Sequence, residues 1–166
     1  MVNKQQSSNP RSRWYPRHLV RVRSNTMSMC SSPRPAPGVY IIVNRVLSPN
    51  DDRLAITFNG PDQPATATVR TDGPAQHWVI ADYDTKTQSV SPTSAKNLQA
   101  AWGSGFVTVL PAGKYVWTIR KTDTGYTIQD GGVTAFWGVE EAIDGAGVTI
   151  GVGTGNEKQR WFFESV

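Results

Sequence analysis

Apolar and polar residues change places in short runs along this chain, and no run keeps a helical period. The first run, Val39-Tyr40-Ile41-Ile42-Val43, is built from β-branched and aromatic residues, which suit a pleated, half-buried strand. Similar runs recur at 54–58, 67–69, 78–80, 89–91, 98–102, 106–110, 115–119, 126–128, 134–139, 148–150 and 161–163. Turn formers separate them: Pro49-Asn50-Asp51-Asp52, Asn59-Gly60-Pro61, Asp72-Gly73-Pro74, Thr124-Gly125 and Asp130-Gly131-Gly132. Residues 140–144 have room for one helical turn at most. The pattern predicts an all-β chain of short strands spaced roughly ten residues apart.

The runs repeat in groups. Gln76-His77-Trp78 precedes Val79-Ile80, and Gln159-Arg160-Trp161 precedes Phe162-Phe163. Between them stands Tyr115-Val116-Trp117-Thr118-Ile119, so the three tryptophans lie 39 and 44 residues apart. Each group also opens on a comparable strand, at Gly38, Thr87 and Gly125. Three units of about 43 residues and four strands each predict a β-trefoil; a propeller of such blades needs at least about four of them. One unit cannot hide its apolar face alone, whereas three around a pseudo-threefold axis share a core. The repeated tryptophan is expected at the end of its unit's fourth strand, with its indole filling part of that core, for about 2–3 kcal/mol each.

Composition agrees with this and moves the charge out of the body. Charged residues make up 18% of the chain, with 15 Gly and 11 Pro, which favours strands and turns over helices. The net charge is +4, but residues 1–36 hold seven Arg or Lys and no acid, leaving the remainder at −3. A basic folded surface for nucleic acid is therefore not indicated. Residues 1–37, rich in Arg, Ser and Pro, are read as a disordered tail, and 38–166 as the folded domain. An organelle transit peptide is the alternative for the tail. Neither a secretory h-region nor a run of about 18 apolar residues is found, so the expectation is a cytoplasmic protein without membrane insertion. Cys30 is the lone cysteine, which excludes an intramolecular disulfide.

Gln-x-Trp near the end of each unit marks the ricin B-type trefoil lectins, and it is intact at Gln76/Trp78 and Gln159/Trp161. Residues 38–166 further resemble the small mushroom lectins that recognise α1,3-fucosylated chitobiose, the fucosylated core of N-glycans. The resemblance is carried by residues 40–49, Ala101-Trp102-Gly103-Ser104-Gly105, Leu110-Pro111, Tyr115-Val116-Trp117-Thr118 and residues 125–131. It implies one carbohydrate site, built mainly from the middle unit, on Tyr83, Trp102, Gly103, Leu110, Lys114, Tyr115, Val116 and Trp117. It also implies a role in fungal defence, with toxicity to nematodes or insects after ingestion. Fucosylated glycans on glycoproteins are the expected partners of a monomer or weak dimer, with no metal or other cofactor. Lys114 departs from the family, which has Asn there. A Lys head only donates hydrogen bonds, whereas an Asn side chain both donates and accepts.

These residue types suit a sugar. Flat aromatics cover the C–H face of the ring, and directional polar groups read its hydroxyls at about 0.5–1.5 kcal/mol per bond. Trp102 and Trp117 are expected to pack on sugar rings with Tyr115 in support, and Leu110 and Val116 to receive the fucose methyl. Strand alternation would put Tyr115 and Trp117 on one side. Trp117 carries two readings: by repeat position it matches Trp78 and Trp161 in the core, and by resemblance it meets ligand. Trp137 is open between core and site.

Catalysis finds little support. His18 and His77 are far apart, and no His, Cys and acid cluster has metal-ligand spacing. The pairs Asp51/Asp52 and Asp82/Asp84 read as solvated loop acids rather than glycosidase carboxylates. The rival function is a trefoil protease inhibitor acting through an exposed loop at 58–66 or 143–147. The discriminator is the aromatic set at 102–117, which a lectin must expose and an inhibitor need not.

Overall fold

A computed structural model of the chain describes residues 33–166. The basic tail up to position 32 lies outside the described residues. The strands are β1 (Gly38–Asn44), β2 (Leu54–Thr57), β3 (Thr66–Val69), β4 (His77–Asp82), β5 (Gln88–Pro92), β6 (Leu98–Trp102), β7 (Val107–Pro111), β8 (Trp117–Thr122), β9 (Gly125–Asp130), β10 (Ala135–Gly138), β11 (Ala146–Gly147), β12 (Thr149–Val152) and β13 (Trp161–Ser165). Twelve of them coincide with the predicted runs; the two-residue β11 has no pattern to betray it. The helical turn allowed at 140–144 is absent. Two 3₁₀ turns, Pro74–Gln76 and Glu157–Gln159, instead lead into the Gln-x-Trp segments.

Six strands pair antiparallel in a ring, β1–β4–β5–β8–β9–β13 and back to β1, so the sheet closes without free edges. The hairpins β2–β3, β6–β7 and β10–β12 accompany this barrel, one from each unit. The architecture is all-β and consistent with a β-trefoil. A cycle of backbone bonds joins the hairpins: Ala65 N donates to Val107 O (2.8 Å), Val107 N to Val148 O (2.9 Å) and Val148 N to Ala65 O (2.9 Å). All three residues are buried, so each unit supplies one donor and one acceptor at a place where water cannot.

The tryptophans repeat the same threefold logic. Trp78, Trp117 and Trp161 are buried, and their indole nitrogens donate to the carbonyls of Ile56, Ala100 and Trp137 at 2.8, 2.9 and 3.1 Å. Each anchors the start of the fourth barrel strand to the second strand of its own unit, correcting the expectation that it ends the fourth strand. Trp137 thus occupies the position of Ile56 and Ala100 and is core. Its ring meets that of Trp117 edge-on, with centroids 4.8 Å apart and planes at 77°. Trp117 is 2% exposed, so the expectation that its ring face packs on a sugar is also corrected.

Folded structure begins before residue 38. Residues 33–37 lie along the barrel, with Gln88 Nε2 donating to Pro35 O (2.9 Å), Lys121 N to Pro33 O (2.7 Å) and Tyr40 Oη to Ala36 O (2.7 Å). The composition of this stretch reads as tail because its bonds come from the barrel, not from its own side chains.

Candidate functional site

The middle unit differs from its neighbours at one position, and a cleft results. In unit one, Gln76 Oε1 accepts from Thr71 N (2.8 Å) and Nε2 donates to Val69 O (3.0 Å). In unit three, Gln159 Oε1 accepts from Thr154 N (2.9 Å) and Nε2 donates to Val152 O (2.9 Å). Each glutamine folds inward and ties down the loop between the third and fourth strands. Backbone bonds close the opposite flank, from Phe58 N to Ala75 O (2.8 Å) and from Val139 N to Lys158 O (3.3 Å). The middle unit has Tyr115 where the glutamine should be. A phenol cannot present the paired donor and acceptor of an amide. Tyr115 packs against Gly113 and stays 36% exposed. Across from it Trp102, the threefold counterpart of Phe58 and Val139, stands 49% exposed at the end of β6.

Between these aromatics lies a cleft of about 230 Å³, lined by Trp102, residues 114–117, Asp130 and Gly131. Five of the eight expected site residues therefore meet: Trp102, Lys114, Tyr115, Val116 and Trp117. β8 begins only at Trp117, so alternation does not govern the two residues before it, and Tyr115 faces solvent while the Trp117 indole points inward. Trp117 gives the cleft its floor, and Trp102 is the aromatic with ring surface to offer.

The other three expected residues are elsewhere. Leu110 pairs with Gln99, which by alternation puts it on the hairpin face opposite Trp102. Gly103 belongs to the hairpin tip, where its amide donates to Phe106 O (2.9 Å) and a Cβ would come within 2.1 Å of Thr108 Oγ1. Its lack of a side chain serves the hairpin. Tyr83 projects from the turn between β4 and β5, its amide donating to Thr87 O (3.0 Å), and does not line the cleft.

Asp130 and Gly131 were missed. Asp130 read as one of many turn formers, and Asp-Gly-Gly alone cannot say which cleft a turn will border. Its carboxylate accepts from Thr134 N (2.6 Å), Ala135 N (2.7 Å), Thr134 Oγ1 (3.0 Å) and Gly132 N (3.1 Å). These bonds hold Val133 at φ 59°, a left-handed conformation that a β-branched residue adopts only under constraint. Desolvation pushes the Asp130 carboxyl up, but the donors of Ala135, Thr134 and Gly132 together outweigh it and hold the group below the usual aspartate value.

A depressed folded pKa adds stability that is full above the unfolded value of about 3.9 and lost as pH falls through the folded value. The 130–135 turn is thus expected to keep its shape from neutral pH to about pH 4 and to loosen below. Amide exchange at Gly132, Thr134 and Ala135 measures this. Asp130→Asn, which replaces one acceptor oxygen by a donor, should cost about 1–2 kcal/mol in urea unfolding and remove the acid step. An unchanged acid profile in that variant would show that another carboxylate governs the turn.

A family profile described as CCL2 lectin-like matches residues 38–161. Among curated proteins no sequence matches. Among solved structures the chain is similar to a mosquitocidal holotoxin, with a TM-score of 0.71 and 15% identity over 80% of this chain. The chain spans only 18% of that toxin's length. It is similar over nearly the whole of two smaller proteins. One is ThreeFoil, a designed 3-fold symmetric protein (TM-score 0.65, 16% identity, 78% of this chain and 99% of that one). The other is the Rhizoctonia solani agglutinin (TM-score 0.65, 13% identity, 80% of this chain and 97% of that one). At such identities the likeness is one of fold.

Proposed function

The chain belongs to the CCL2 lectin-like family over residues 38–161, and from that premise we propose that it binds a fucosylated N-glycan core, GlcNAc bearing α1,3-linked fucose, in the middle-unit cleft. Carbohydrate binding is supported by the family and by an agglutinin among the structural neighbours. The observation that carries the choice of site is the open flank of the middle unit. Where the glutamine tie is lost, Trp102 and Tyr115 border one cleft and both stay partly exposed, whereas Gln76 and Gln159 bind their loops in the other two units. An inhibitor loop has no use for such a pair. Trp102 would stack on the C–H face of one ring, with Tyr115 and Val116 flanking it. Backbone groups beside Gly131 could approach the hydroxyls closely, since no side chain intervenes.

A glycan array probed with the full chain tests this. Signal confined to core α1,3-fucosylated N-glycans is expected; a blank array from folded protein would remove the lectin reading altogether. Lys114, at the rim, is the position most open to tuning. Lys114→Asn restores an acceptor beside a donor, and the affinity for fucosylated chitobiose is expected to rise about fivefold, the worth of one neutral hydrogen bond. Isothermal titration reads the change. Unaltered affinity would place Lys114 outside the contact.

A further inference from the structure

Two residues beyond the cleft floor, β8 borders a second concavity of different character. Residues 119–121 of β8, the segment at 33–34 and the turn at 85–86 enclose about 250 Å³. Arg34, Lys86, Arg120 and Lys121 bring cations to it from three separate pieces of chain, while Ile119, Pro33 and Thr85 complete the lining. The neighbouring acids are engaged in holding this frame. Asp82 pairs with Arg34 (3.3 Å) and accepts from Gln88 Nε2 (2.9 Å). The Asp84 carboxylate accepts from the amides of Lys86 and Thr87, both at 2.7 Å, and its carbonyl accepts from Arg34 (3.0 Å). Among the described residues no carboxylate pairs with Lys86 or Arg120. A folded body of net charge −2 over residues 33–166 that gathers cations around one cleft, and spends its nearby acids on the cleft's scaffold, creates a local potential opposite to its overall sign.

The geometry points to this cleft as a second ligand site, which takes the oxyanion group of an acidic saccharide, a sulfate ester or a carboxylate. Ammonium and guanidinium groups from three sides suit an oxyanion with acceptors in several directions. Pro33 and the aliphatic stems of the cations supply the apolar surface that a sugar's C–H face requires, over the buried Ile119. Among the described residues no aromatic side chain lines the cleft, so they offer a single-stranded nucleic acid no platform for its bases. The choice of a sugar as carrier rests on the carbohydrate-binding reading above; the anion preference stands on the charges alone.

The test is residue-resolved NMR of the full chain, titrated with N-acetylglucosamine 6-sulfate, glucuronic acid, neutral N-acetylglucosamine and inorganic sulfate. The amides of residues 85–87 and 119–121 are expected to shift saturably with an acidic sugar and not with the neutral one. A response to the sulfate ester alone names that source, and a response to glucuronic acid names a carboxylate; either supports the site. The double variant Lys86→Gln/Arg120→Gln, both on exposed positions, should weaken binding at least about tenfold, since one charge-assisted contact alone is worth that much. It should leave the response of residues 102 and 114–117 to fucosylated chitobiose intact. Equal shifts with neutral sugar, inorganic sulfate binding as tightly as the sulfated sugar, shifts confined to residues before 33, or an unaffected double variant would each overturn the proposal. If residues 102 and 114–117 fail to respond to the fucosylated ligand while 85–87 and 119–121 respond to the acidic one, the first site falls and the second stands.

Discussion

Trp102→Ala should abolish measurable glycan binding while the protein keeps its fold. The side chain leaves β6 at its last residue and stands about half in solvent, so its removal opens no cavity in the core. Substitutions at such positions usually change stability by within about 0.5 kcal/mol. Binding is another matter. An exposed tryptophan is the kind of anchor that carries an interface, and truncating one typically costs about 2 kcal/mol or more, at least about thirtyfold in affinity. A fucosylated ligand held in this cleft alone has no second contact to mask such a loss on an array. The paired measurement is thermal unfolding beside isothermal titration with fucosylated chitobiose. Trp102→Phe, which keeps a flat face of smaller area, should fall between the two. Wild-type affinity in Trp102→Ala would mean that the sugar sits elsewhere and that the exposed ring is incidental.

The same residue shows why the fold was more legible in the sequence than the site. Strands announce themselves through local chemistry: β-branched and aromatic runs bounded by Gly, Pro, Asn and Asp can be found without knowing what they pack against. The three units follow from one residue type at a regular interval. A cleft depends on what is missing between distant segments. The absence of a glutamine at Tyr115 was visible as a broken Gln-x-Trp, but its meaning lay in the bonds that Gln76 and Gln159 make to their loops. Tyr83 and Leu110 looked like partners of Trp102 until hairpin register and turn position separated them. Asp130 was hidden for the opposite reason, since its role is played through backbone amides that no side-chain pattern records. Residues 33–37 were mistaken for tail because the barrel, and not their own composition, orders them.

Trp117→Ala is expected to have the largest effect on stability, and to remove binding by way of the fold. Its indole is buried, donates to Ala100 O at 2.9 Å and meets Trp137 edge-on. Truncating a buried tryptophan costs about 3–5 kcal/mol, and the abandoned Ala100 carbonyl falls within that loss. A domain of this size is stable by about 5–15 kcal/mol, so about a fifth or more of the total goes at one position. The urea midpoint should drop sharply, and Trp78→Ala, at the threefold-equivalent place, should drop it comparably although Trp78 lies outside the cleft. Loss of binding in Trp117→Ala therefore cannot by itself assign the residue to the ligand. Trp117→Phe separates the two roles. It keeps most of the packed volume and gives up the indole N–H, with an expected cost of about 1–2 kcal/mol. If that variant stays folded and still binds, Trp117 serves as the floor on which Trp102, Tyr115 and Val116 are arranged. If it stays folded and binds no sugar, the edge of the indole is itself a contact, and the most deeply buried member of the cleft is also one of its reading heads.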